Sequence, residues 1–169
     1  MSSTTIIIIV AVVVIWAILF AVFMKFNKKR QAGEQQFLQE NANKAILHIY
    51  GKSVKVDGKD LSNIDHKTGQ YGQVIIALTP GEHTVEAVYH TTDNVGTTTK
   101  NVETKPVTIT IPVQAGNEYN AAMYFYSAEQ RQAYYKGDVD DAILEVELGL
   151  ESGFTANTHA YIIVYRECK

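Results

Sequence analysis

From Ile6 to Met24 the chain runs 19 residues without a charge, an amide, a glycine or a proline. As a helix rising 1.5 Å per residue, such a run spans about 28 Å, the hydrocarbon thickness of a bilayer. β-Branched residues dominate its first half and would weaken a helix in water. In lipid the backbone must satisfy its own hydrogen bonds, so helix is the expected form there. A buried core helix is the bland alternative, but residues 31–169 read as a β-rich unit too small to wrap a helix that is apolar all round. A secretory leader needs a charged start, a core of roughly 7–15 apolar residues and a small-residue cleavage site. Here "MSSTT" carries no charged side chain, the run is too long and "KKRQAG" is a poor cleavage context. The expectation is an uncleaved single transmembrane helix over 6–26, after a short tail at 1–5, with Ile6, Val10, Val14, Trp16, Leu19, Phe20 and Phe23 as anchor residues.

Charge then bears on direction. Residues 1–30 hold Lys25, Lys28, Lys29 and Arg30 and no acid, so the remaining 11 basic residues face all 18 acids, a net −7 on 31–169. Basic residues flanking a span stay cytoplasmic, so these four predict the N-terminus outside and the following domain in the cytoplasm. An acidic domain is a poor nucleic-acid partner, because phosphate binding needs clustered Lys or Arg. Cys168 is the single cysteine and excludes an internal disulfide; it lacks the four-residue prenylation signature.

Residues 27–43 are polar, with Phe37 and Leu38 as the only large apolar residues, and read as a basic and polar stalk: a continuation of the helix, or a flexible linker. From Lys44 onward the pattern alternates, the signature of strands. "AILHIY" (45–50) and "SVKVDGK" (53–59) are short runs, the second ending in the turn pair Asp57-Gly58. "QVIIAL" (73–78), "TPGE" and "HTVEAVYH" (83–90) read as strand, turn, strand, with Val85, Ala87 and Tyr89 on one face. Residues 91–105 are a polar loop or an edge hairpin. In "PVTITIPV" (106–113) Val107, Ile109, Ile111 and Val113 share a face, and Pro106 and Pro112 put its ends at a sheet edge. "EYNAAMYFY", "DAILEVELG" and "HAYIIVYRE" add three strands, and "SAEQRQAYYK" (127–136) reads as one short helix with a capping box. The expected fold is mainly β: an antiparallel, Ig-like β-sandwich over 44–169.

"SVKVDGKDL" followed by "IALTPGEHTVEAVY" resembles PEGA-type domains and related small bacterial lipoprotein modules, through Val54, Val56, Asp57, Gly58, Leu78, Pro80, Gly81, His83 and Val85. With the following "VQAGNEYNAAMYFY", which looks like the strand after such hairpins in bacterial lipoprotein domains, the resemblance covers about 80 residues and implies a small sandwich used for display or binding, usually outside the cytoplasm, against the direction that charge predicts. No lipoprotein cysteine lies near the N-terminus, and the loops are longer.

Nothing here spells catalysis. There is no Gly-rich phosphate loop, no Ser-His-Asp order and no paired cysteine, so the chain is read as a non-enzyme without cofactor. His48, His66, His83, His90 and His159 lack ligand spacing and read as surface or edge residues rather than a metal site. Asp138, Asp140 and Asp141 lack the glycine and distal glutamate of a calcium loop and read as a solvated turn. Ten tyrosines stand out; Tyr124, Tyr126, Tyr134 and Tyr135 form a candidate binding face for a protein or carbohydrate, against the plainer reading as strand packing. The residues leave two functions open. One is a membrane-anchored binding or scaffold module. The other is a homo-oligomeric subunit of a filament or complex assembled through the apolar helix, although the run lacks a pilin-type processing site and early glutamate.

Overall fold

The computed structural model describes residues 3–95, 98–127, 142–148 and 158–167. Helix α1 (Ser3–Glu40) is followed by eleven strands: β1 (Ala45–Ile49), β2 (Gly51–Val56), β3 (Lys59–Asp60), β4 (His66–Thr68), β5 (Val74–Leu78), β6 (Gly81–Val95), β7 (Thr98–Glu103), β8 (Val107–Val113), β9 (Glu118–Ser127), β10 (Ala142–Leu148) and β11 (Thr158–Arg166). Single 3-10 turns occupy Leu61–Asn63 and Gln70–Gly72. The chain is thus mainly β, with two sheets and one apolar helix at its N-terminal end. The short helix expected over 127–136 falls outside the described residues, apart from Ser127, which ends β9.

One sheet has the order β10-β11-β9-β1-β5-β4; in the other, β3-β2-β6-β7 is extended by β8, which pairs with the first half of β6. Alternation decides which side chains are buried. Leu47, Ile49, Ile76, Ala121, Ile162 and Val164 from the first sheet and Val54, Val85, Ala87, Tyr89 and Ile111 from the second belong to a single buried cluster. β8 repeats the rule, with Ile109, Ile111 and Val113 buried between exposed Thr108, Thr110 and Pro112. Among the described residues it pairs with β6 alone, so Pro112 costs no second ladder.

Three expectations need correcting. The first sheet is mixed, because β1 and β9 run parallel, Ile46 opposite Glu118 and Ile49 opposite Ala121. Parallel neighbours need a long crossover, and the whole excursion through β2–β8 supplies it. Next, the segments either side of "TPGE" are not a hairpin: β5 pairs with β1 and β4, whereas β6 pairs with β2, β7 and β8. Residues 79–80 therefore carry the chain from one sheet to the other, and alternation alone cannot tell such an arch from a hairpin. Finally, His48 is not a surface residue, being 7% exposed on β1. Residues 91–105, open between loop and hairpin, contain β7, which pairs with the far half of β6 from His90–Glu103 to Val95–Thr98.

Candidate membrane-facing site

The helix has two unlike halves. From Ile7 to Met24 its side chains are uncovered, with Trp16 at 70%, Leu19 at 59% and Phe23 at 60% exposure. Val10, Val14 and Phe20 are equally open, and Ile6 lies in the same helix. This is one helix long and apolar enough to cross a bilayer.

Past Arg30 the same helix docks. Phe37 and Leu38 pack on Ile46, Ile75 and Ala77, which β1 and β5 present on the face of their sheet away from the main core. Gly33 gives close approach: a Cβ there would lie 3.2 Å from Cε and Nζ of Lys67 on β4. The helix stops because Asn41 turns both donors onto one carbonyl, with its backbone N at 3.1 Å and its Nδ2 at 3.0 Å from Phe37 O. Lys44 then donates to Asp65 at 2.9 Å and ties the exit to the loop before β4. That exposed pair holds the Asp65 carboxyl below the usual carboxylate range.

At about 100° per residue, Lys25, Lys28 and Lys29 fall on one side of the helix. Phe23, Asn27, Arg30, Glu34 and Phe37 fall on the opposite side, facing the domain. The four basic residues expected to set topology thus divide: all are exposed, but only Arg30 shares the docked side. Between that side and the 3-10 turn at Gln70 lies a hollow of about 400 Å³, lined by Phe23, Asn27, Arg30, Gln31 and Gln70.

Comparison with family profiles, curated proteins and solved structures found no match. The chemistry must be read from the residues alone.

Asp57, Gly58 and His83 meet at one end of the second sheet. Asp57 (φ 51) and Gly58 (φ 73) make the left-handed turn between β2 and β3. The Asp57 carboxylate accepts from Thr84 N at 2.9 Å and lies 2.7 Å from His83 Nδ1, while His83 Nε2 lies 2.8 Å from Thr79 O. Both ring nitrogens thus face oxygen atoms, which fix the orientation of the ring. The histidine and the Thr84 amide hold the Asp57 carboxyl below its usual range. This latch fixes the arch at residues 79–80 and is structural.

The other candidates separate. His48 Nε2 is buried without a hydrogen-bond partner among the described residues, and Glu118 Oε2 stands 3.8 Å away. Beside it Asn120 Nδ2 donates to Glu167 Oε1. No group of three or more His, Cys, Asp or Glu could hold a metal among the described residues. Tyr124 is half-buried on β9 opposite Tyr161. Tyr126 lies on the same strand, opposite His159, and its register position matches that of Tyr124 two residues before. Tyr134, Tyr135, the acidic turn at 138–141 and Cys168 lie outside the described residues.

Sequence reasoning missed the hollow at Gln70. Its helical side was legible as the i, i+4, i+7, i+8 stripe from Phe23 to Gln31. Its other wall was not, because nothing local links Gln70 to a helix forty residues earlier.

Proposed function

We propose that the chain is a single-pass membrane protein whose β-sandwich, of PEGA-like character, acts as a binding or scaffold module without turnover. The observation that carries this reading is the apolar half of α1, uncovered on every side while the polar half is docked. Water penalises that exposure, at about 25 cal/mol per Å² of apolar surface, and a bilayer removes the penalty. The sandwich is supported by the single core shared by two sheets, and the PEGA-like character by the meeting of Asp57, Gly58 and His83 in one latch. Charge favours the domain in the cytoplasm, through Lys25, Lys28, Lys29 and Arg30. The partner beyond the bilayer is a protein or a carbohydrate.

Membrane fractionation tests the reading. Release by detergent alone is the expected result; recovery of a sheared polymer without detergent would replace the anchor by a filament subunit assembled through α1. A C-terminal reporter active only after export should stay silent, and its activity would reverse the orientation.

A further inference from the structure

The hollow between α1 and the Gln70 turn combines features that a solvent crevice does not need. It opens at Phe23, one residue before the end of the apolar run, so its floor lies where hydrocarbon gives way to headgroups if that run spans the bilayer. Its polar lining is one guanidinium, from Arg30, and three side-chain amides, from Asn27, Gln31 and Gln70, with no carboxylate among them. Arg30 makes no ion pair or hydrogen bond among the described residues, although Glu34 lies one turn further along the same side. Helical side chains lean toward the helix N-terminus, which here is toward the bilayer. Arg30 lies about 10 Å along the axis from Phe23, and a long arginine stem reaches back over much of that distance.

We propose that this hollow is a phospholipid-headgroup site, in which Arg30 holds the phosphate and the amides of Asn27, Gln31 and Gln70 hold the remaining headgroup oxygens. The proposal rests on the membrane-anchor reading and adds a bound lipid to it. A guanidinium presents its donors in a fixed fork that matches phosphate, and amides supply neutral donors and acceptors for ester or glycerol oxygens. Because Gln70 belongs to the domain and the other four to the helix, a lipid seated here bridges the two and sets the height of the β domain above the bilayer. Lys25, Lys28 and Lys29, on the opposite side, supply only general attraction to an anionic surface.

Charge-preserving substitutions separate a site from that general attraction. The full chain in detergent micelles is titrated with phosphatidylglycerol, and native mass spectrometry reads the bound fraction. R30K should weaken binding about tenfold, since it keeps the charge and loses the fork, whereas K29R should leave it unchanged. The neutral substitution Q70A should weaken it about fivefold. Equal effects of R30K and K29R, or no effect of Q70A, would overturn the site. Displacement of the lipid by millimolar inorganic phosphate would also overturn it, by showing a free-anion site. Flotation of the same chain with phosphatidylcholine vesicles keeps the two readings apart: a chain that floats but shows no Arg30-dependent lipid refutes only this proposal, and one that does not float refutes the anchor itself.

Discussion

The two halves of α1 reverse what water asks of a helix. Residues 7–24 are apolar and uncovered; residues from Asn27 onward are mostly polar, and there Phe37 and Leu38 find a sheet to pack on. Under the proposed membrane anchor, one unbroken helix obeys two solvents. In the proposed anchor lipid would supply the burial of the apolar half, whereas the polar half docks through Phe37 and Leu38. The first half should tolerate any apolar substitution and no charge. The second should tolerate surface changes but not the loss of its two contacts.

A charge in the middle of the apolar half attacks the comparison most directly. V14R should cost about 3 kcal/mol of membrane insertion, read as loss of flotation with vesicles; a variant that still floats fully would show that this half is not in lipid. F37A should loosen the docked half by about 2 kcal/mol, the share expected for a half-buried aromatic. Hydrogen exchange should then accelerate over residues 34–42 while the amides of β9 and β11 stay protected. Uniform acceleration would mean that docking stabilises the whole domain rather than one end of the helix.

The His83 latch lies on the second sheet and should not respond to either change. D57A should lower domain stability by about 1–2 kcal/mol, kept modest by the exposure of the carboxylate. The Asp57 carboxyl is held below its ordinary 3.8 in the fold, so its contribution is present above that value and is lost as pH falls through the folded pKa. The stability difference between wild type and D57N should therefore shrink with acidification below about pH 4; a difference that persists there would assign the effect to packing. The smallest effect belongs to the core. Burial pushes the Tyr89 pKa upward, and its hydroxyl has no partner among the described residues. Removing that unsatisfied group in Y89F should stabilise the domain by about 1 kcal/mol in chemical denaturation, and destabilisation would reveal a hidden partner.

Much of this is legible along the chain because it depends on neighbours in sequence. The alternation of Val85, Ala87 and Tyr89, and of Ile109, Ile111 and Val113, marks buried faces wherever the strands end up. Asp57-Gly58 announces its turn through backbone sterics alone. The burial of His48 is not legible, because a lone histidine amid apolar residues carries no local sign of which sheet will flank it. The arch at residues 79–80 escapes a local reading for a related reason. Pro80 and Gly81 favour a reversal of direction, but whether the next strand pairs with the last one or joins the opposite sheet depends on which edges are free.

The sequence by itself determined the bilayer-length apolar helix, its basic closing segment and the β character of the domain beyond it, since length, charge and periodicity are properties of a linear chain. Only the tertiary structure decided the parallel pairing of β1 with β9, the passage from β5 across to β6 and the docking of Phe37 and Leu38 on Ile46, Ile75 and Ala77. It also decided that, of the four basic residues closing the apolar run, Arg30 alone faces the domain across the hollow at Gln70. These are choices among contacts distant in sequence, and competition for the same buried surface settles them rather than local preference.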